Sequence, residues 1–222
     1  WGWQTEQGRF SADGAEAFAP FSHTRTQALF AIEAYSFGKA SFNVGVRREQ
    51  VSVRSLGNPD PSVDRFELGT RKFSPQSYAL SSSWQWLPQW RLSANASRTE
   101  RAPKDYELFA NGPHVATSAF EIGSSSLGLE RSRAIDIGFR KSEGVLTGNA
   151  GLFYNRFANY VFLAPTTDSS GNALYRNKDS RNDAALTYSA ASAAGYSAMQ
   201  QYQFTAVPAV FKGFEVQGRW QA

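Results

Sequence analysis

The sequence predicts an all-β fold, an antiparallel transmembrane β-barrel of which this chain forms an incomplete wall of about eight strands. Three observations carry the prediction. Apolar and polar residues alternate with a period of two, short and long connections alternate along the chain, and tryptophans gather beside a short turn. The same features favour a large barrel with a polar interior over a narrow, closed one, because many inward positions carry bulky charges.

The alternation is clearest in residues 78–97. Tyr78, Leu80 and Trp84 fall on one face of the first segment, and the positions between them are small or polar. Residues 90–97 repeat the pattern after a tight turn at 87–89, so the two segments predict a β-hairpin. Further alternating segments span 1–10, 30–35, 41–47, 135–140, 146–155 and 210–220.

The tryptophans and the connections both favour a membrane. Trp84, Trp86 and Trp90 lie beside the turn of the hairpin, and tryptophan prefers the boundary between membrane and water. Short turns are predicted near residues 38, 88 and 143, and long connections at 11–24, 54–74, 99–129 and 163–206. Outer-membrane barrels have short periplasmic turns and longer extracellular loops, which matches this order.

Composition excludes several classes of site and partner. The 222 residues include no cysteine, so the chain cannot form a disulfide framework or a cysteine-based metal site. The net charge is +4, but lysine and arginine are scattered, so no nucleic-acid partner is expected. The apolar residues form no run long enough for a membrane helix.

Three alternatives stay open on the residues alone: a passive porin, a barrel hydrolase and a soluble carbohydrate-binding β-sandwich. Alternation cannot by itself distinguish a lipid-facing apolar face from one buried in a sandwich. For a hydrolase, serines are abundant, but the chain has no Gly-x-Ser-x-Gly motif. We therefore expect that it is not an enzyme.

One stretch resembles the TonB-dependent outer-membrane receptors. In that family a strand ends in an Arg-Ala-Pro step, and a short helix with Glu-Leu-Phe-Ala-Asn-Gly follows before the next strand. The corresponding segments here are 101–103, 107–112, 127–130 and 135–138. Residues 154–161 and 211–215 are similar to later strands of the same barrels, and residues 10–12 with 16–20 are similar to a loop of the subgroup related to zinc receptors.

The resemblance implies a bacterial outer-membrane importer. Family barrels have roughly 22 strands and are closed by an N-terminal plug domain, on which the TonB energy-transducing complex pulls. Residues 1–222 would then be a partial barrel domain without the plug, with both ends cut. The expected partners are outer-membrane lipid and lipopolysaccharide, the protein's own plug domain and, through that plug, the TonB complex.

The resemblance also suggests a ligand site. In zinc-importing relatives, a histidine of this loop and a glutamate of an inward-facing strand are implicated in metal binding, and these match His114 and Glu33. Tyr106, Asn111 and His114 are candidates for a ligand-binding loop. No resident cofactor is expected, and zinc or a metal chelate would be cargo. The alternative is that His114 only forms loop hydrogen bonds and Glu33 is a lumen charge paired with an arginine.

Overall fold

The structure, a computed structural model, describes residues 1–14, 16–60, 64–179 and 183–221. Strands make up 66% of it and helices 7%. No helix within these residues is long and apolar enough to cross a membrane. The strands are β1 (Gly2–Phe10), β2 (Ser22–Phe37), β3 (Ala40–Ser55), β4 (Gly69–Phe73), β5 (Gln76–Leu87), β6 (Trp90–Arg101), β7 (Asn111–His114), β8 (Ala119–Ile122), β9 (Glu130–Lys141), β10 (Leu146–Pro165), β11 (Leu174–Asn177), β12 (Leu186–Thr187) and β13 (Ala198–Trp220). The helices are α1 (Asp105–Phe109), a 3₁₀ turn (Val115–Thr117) and α2 (Tyr188–Ala193).

All of these strands belong to one open sheet. Its long strands follow the order β1-β2-β3-β5-β6-β9-β10-β13, each antiparallel to the next. These eight strands confirm the prediction of an incomplete wall of about eight. The other strands are short and belong to the long connections.

The three predicted short turns are confirmed. Phe37 pairs with Ala40 and Leu87 with Trp90, so each hairpin closes within two residues, and residues 142–145 join β9 to β10. The long connection predicted at 163–206 was too wide, because β10 continues to Pro165 and β13 begins at Ala198. Where strands extend past the membrane, their pairing persists without the apolar alternation that lipid requires.

The sheet has an apolar outer face and a polar inner face. Val44 lies opposite Leu80, and Ile137 lies opposite Leu152. These outer side chains are exposed, with Leu152 at 60%. Burying such a side chain stabilises a protein by about 1.5–3 kcal/mol, and a soluble fold would have buried these outer side chains. In a barrel wall, lipid covers it.

A second sheet to cover the outer face is absent from the described part of the chain. The buried apolar core lies instead on the inner face, at the end of the sheet that carries the long connections. Its members are Val51, Val53, Phe73, Leu108, Phe109, Ala110, Leu127, Val161 and Phe204. The soluble-sandwich alternative therefore does not fit the fold.

The predicted inward orientation of Glu33 is wrong. Glu33 pairs with Val44, so it lies on the outer face, whereas its neighbour Ile32 shares the inner face with Arg47. Phe30 is two residues from Ile32 and therefore lies on the same face of β2. The guanidinium of Arg47 lies 5.9 Å from the centroid of the Phe30 ring, which agrees with an inner position for both side chains. The pattern of β2 could not decide its faces, since Leu29 (65% exposed) and Ile32 (63%) are apolar side chains on opposite sides.

Candidate functional site

The connection between β6 and β9 folds into a compact unit, the loop module (residues 102–129), on the inner face of the sheet. It contains α1, the β7–β8 hairpin and the 3₁₀ turn. The buried Pro103 lies directly before Lys104, the residue that caps the start of α1. The backbone N–H of Lys104 donates to Glu107 Oε2 at 2.7 Å, which satisfies one of the free donors at the start of the helix.

An arginine between two glutamates fastens the loop module to the wall. Arg101 donates to both carboxylate oxygens of Glu107, at 2.8 and 3.2 Å, and to both of Glu130, at 3.1 and 3.2 Å. Burial alone would lower the pKa of Arg101, but the hydrogen bonds and charges of Glu130 and Glu107 raise it above its usual range. Glu130 also accepts the N–H of Val161, so the network reaches β10.

Apolar packing holds the other side of the module. Leu108 and Phe109 are buried against Val51 and Val53 of β3. A Cβ at Gly123 would lie 2.5 Å from the backbone nitrogen of Phe109, so only glycine permits this approach. The module is thus a fixed part of the wall rather than a free loop.

His114 sits at the open edge of the loop module and is paired. Its Nδ1 lies 2.7 Å from Oε1 of the buried Glu121, and its ring stacks on Phe18 with centroids 4.2 Å apart. Thr117 Oγ1 donates to the same carboxylate oxygen at 3.1 Å. A carboxylate on one ring nitrogen fixes the ring and leaves Nε2 for a ligand, the arrangement common beside metal-binding histidines.

The other two loop candidates have structural partners. The side-chain amide of Asn111 donates to the carbonyl of Arg65 at 2.7 Å, and its backbone N–H donates to Phe18 at 3.0 Å. Tyr106 is half-buried, with its ring centroid 5.6 Å from that of Phe204. Asn111 thereby positions the strand that carries His114, and Tyr106 joins α1 to β13.

Glu33 and His114 are not brought together. Glu33 is on the outer face, eleven residues along β2 from Ser22, or about 36 Å at about 3.3 Å per residue. Ser22 lies at the module end of β2, where its hydroxyl donates to Asp105. Within the described ranges, no group of three or more His, Cys, Asp or Glu side chains is arranged to hold a metal ion.

Comparison with known proteins identifies the fold. The chain matches the family described as "TonB dependent receptor-like, beta-barrel" over residues 1–222. The chain belongs to this family. The copper transporter OprC superposes with a TM-score of 0.61 at 16% identity, covering 91% of this chain and 27% of that one. The FrpB iron transporter from Neisseria meningitidis superposes with a TM-score of 0.55 at 14% identity, covering 92% and 24%.

This TonB-dependent receptor barrel therefore spans about a quarter of the length of both solved structures. Sequence reasoning missed two residues of its site, Phe18 and Glu121. The signal for Glu121 was a single acid between Phe120 and Ile122, since a carboxylate in an apolar strand must find a partner. Phe18 carried no comparable signal, because its contact with His114 depends on the fold of a distant loop.

Proposed function

We propose that this chain is part of an outer-membrane receptor that binds a scarce extracellular metal ion or metal chelate and imports it with TonB-coupled energy. The observation that carries the proposal is the loop module, fixed on the inner face of a barrel wall whose outer face is apolar. A module in this position narrows the passage and presents side chains to a ligand that enters it. Membership of the receptor family supports the same role.

The rest of the machinery belongs to the complete protein. A plug domain would close the barrel and transmit the pull of the TonB complex, and lipid with lipopolysaccharide would surround the outer face. The chain would be a partial barrel domain of that receptor. The similar folds of a copper transporter and an iron transporter support metal or a metal chelate as the class of cargo.

His114 is the residue of the described site best suited to meet such a cargo. Its Nδ1 is held by Glu121, and its side chain remains 31% exposed. Neutral imidazole is a good ligand for zinc and copper. Glu33 is not part of this proposal, and the remaining ligands would come from the plug or from other loops.

Uptake by the full-length receptor tests the proposal. We would measure cellular zinc, copper and iron by mass spectrometry, at limiting supply, in cells with the receptor as the sole copy and with or without the TonB complex. Accumulation of a metal that requires both the receptor and the complex is expected. Accumulation that requires the receptor alone would instead establish a passive pore.

A matched pair of variants tests His114. His114→Ala should reduce accumulation at limiting supply, because it removes the imidazole. Val115→Ala is the control, since Val115 is the adjacent residue and is 53% exposed. Equal uptake by the two variants would remove His114 from the site without removing the import function.

A further inference from the structure

A groove of about 250 Å³ runs along β10 on the outer face, beside the short turn that joins β9 to β10. Its floor consists of Gly148 and Ala150 of β10 and Gly218 of β13, and Gly148 pairs directly with Gly218. A Cβ at Gly148 would lie 2.3 Å from the carbonyl oxygen of Gln217, so this close approach of the two strands requires glycine. We name this depression the β10 groove.

The walls of the β10 groove are apolar and rise on both sides of its floor. On one side the rings of Trp90 and Phe139 stack with centroids 4.8 Å apart, and Phe139 lies directly opposite Ala150. On the other side Val216 lies opposite Ala150 and is 74% exposed. Since the outer face meets lipid, a narrow apolar groove in it fits a hydrocarbon chain.

A lysine marks one end of the β10 groove. Lys141 is half-buried and pairs with Gly148. Its Nζ donates to the carbonyl of Leu146 at 2.9 Å and lies 5.6 Å from the centroid of the Trp90 ring. These contacts hold the ammonium in place but use only part of its three donors. Lys141 forms no ion pair with a carboxylate in the described part of the chain, so its charge is available to an anion.

The position of the β10 groove selects the kind of ligand. Short turns of outer-membrane barrels face the periplasm, so the groove lies in the periplasmic half of the wall. From Gly148 to Leu152 it extends four residues along β10, or about 13 Å at about 3.3 Å per residue. With the usual strand tilt this is roughly 10 Å of height, which lies within one leaflet of an apolar band about 25 Å tall. A lipid of that leaflet has its phosphate at the level of the turn and its chains above it.

We propose that the β10 groove binds one glycerophospholipid of the periplasmic leaflet. Its phosphate contacts the ammonium of Lys141, and one acyl chain lies over Gly148 and Ala150 between the two apolar walls. Lysine binds phosphate as a compact point charge, so it attracts the headgroup without fixing its orientation. The site requires placement in the outer membrane and is independent of the imported cargo.

Lipid binding to the full-length receptor in detergent tests the headgroup contact. Native mass spectrometry measures the occupancy of phosphatidylglycerol, of diacylglycerol with the same acyl chains, and of glycerol phosphate. Wild type should retain phosphatidylglycerol in preference to both other probes. Lys141→Gln should bind it at least about tenfold more weakly, because a charge-assisted contact is lost. Lys212→Gln is the matched control, since Lys212 is also on the outer face, opposite Tyr154.

A second variant tests the acyl-chain contact independently. Ala150→Leu fills the floor of the β10 groove and should weaken the binding of phosphatidylglycerol about as much as Lys141→Gln does. Ala94→Leu makes the same substitution at an exposed outer position, opposite Ser82 and Ile137, and should bind as wild type does.

Each comparison has an outcome that overturns the proposal. These outcomes are equal binding of phosphatidylglycerol by either variant and its control, equal retention of phosphatidylglycerol and diacylglycerol, and retention of glycerol phosphate as strong as that of the lipid. No metal enters these measurements, so their result is separate from that of the uptake experiment.

Discussion

Arg101 at the end of β6 donates two hydrogen bonds to the carboxylate of Glu107 in α1, at 2.8 and 3.2 Å, although the two residues are only six apart in sequence. The chain must therefore bend between these two residues, and α1 lies over the inner face, where Leu108 and Phe109 pack with Val51 and Val53. The same guanidinium is bidentate to Glu130, directly opposite it on β9. One side chain thus links the start and the end of the loop module to the wall.

Arg101→Gln should loosen both ends of the module. The substitution leaves the buried Glu107 and the partly buried Glu130 without a counter-charge. Breaking a fully buried ion pair costs about 3–5 kcal/mol, and the cost here should be smaller because the side chain of Arg101 is 35% exposed. Hydrogen exchange in the full-length receptor measures the loosening at two backbone amides, because Lys104 N–H donates to Glu107 and Val161 N–H donates to Glu130. Both should lose protection, whereas Arg140→Gln, on the inner face of β9, should leave them unchanged. Unaltered protection in Arg101→Gln would contradict the role assigned to the network.

Gly123→Ala should displace α1 from the module. The added Cβ would approach the backbone at Phe109 N, Leu108 C and Ala110 N to 2.5, 2.6 and 2.7 Å, and backbone atoms cannot rotate away. Limited proteolysis of the full-length receptor should show faster cleavage within 102–129. Gly128→Ala is the control from the same module, because a Cβ there meets nothing within 4 Å. Equal cleavage of the two variants would show that the module tolerates the displacement.

The sequence predicted the wall well because lipid imposes a simple rule on it. Where one face meets lipid and the other does not, residues such as Leu80 and Ser81 must alternate, and the three short turns follow from the breaks in that pattern. The rule stops at the membrane boundary. The ends of β10 and β13 nearest the long connections are paired, as at Leu163 and Phe204, but their residues do not follow this alternation. The sequence therefore predicted the wrong ends for these two strands.

The site was less predictable, for two physical reasons. The face on which Glu33 lies depends on the register between β2 and β3, and a shift of one residue would reverse it. Apolar residues occur on both faces of β2, so the sequence pattern alone could not identify the face that carries Glu33. The partner of His114 depends on the β7–β8 hairpin, whose four-residue strands carry no clear alternation. The loop module itself was recognisable only through its family motif.

The turn after β10 should respond to acid. Asp168 accepts hydrogen bonds from the side chain of Asn172 at 3.0 Å and from the N–H groups of Asn172 and Ser170 at 2.9 and 2.8 Å. The side-chain bond from Asn172, followed by the backbone bonds, holds the pKa of Asp168 below its usual value. The turn is therefore most stable above the unfolded pKa, and that stability is lost as the pH falls through the lowered folded pKa. Exchange protection at Asn172 should fall across this range, while in Asp168→Asn it should not vary with pH.

The two faces of the wall should respond oppositely to a new arginine. Leu152→Arg places a charge on the outer face between Ile137 and Phe214, its cross-strand neighbours. An arginine on the lipid face costs about 2–4 kcal/mol near the bilayer midplane, so the free energy of unfolding in phospholipid vesicles should fall by that amount. Asn95→Arg is the matched substitution on the inner face, where Asp136 lies directly opposite and offers a counter-charge. It should leave the free energy of unfolding unchanged or raise it slightly, since opposite charges across a strand pair stabilise it. If Leu152→Arg were tolerated and Asn95→Arg were not, the faces would be reversed, and the loop module would lie on the lipid side, where its polar backbone could not be satisfied.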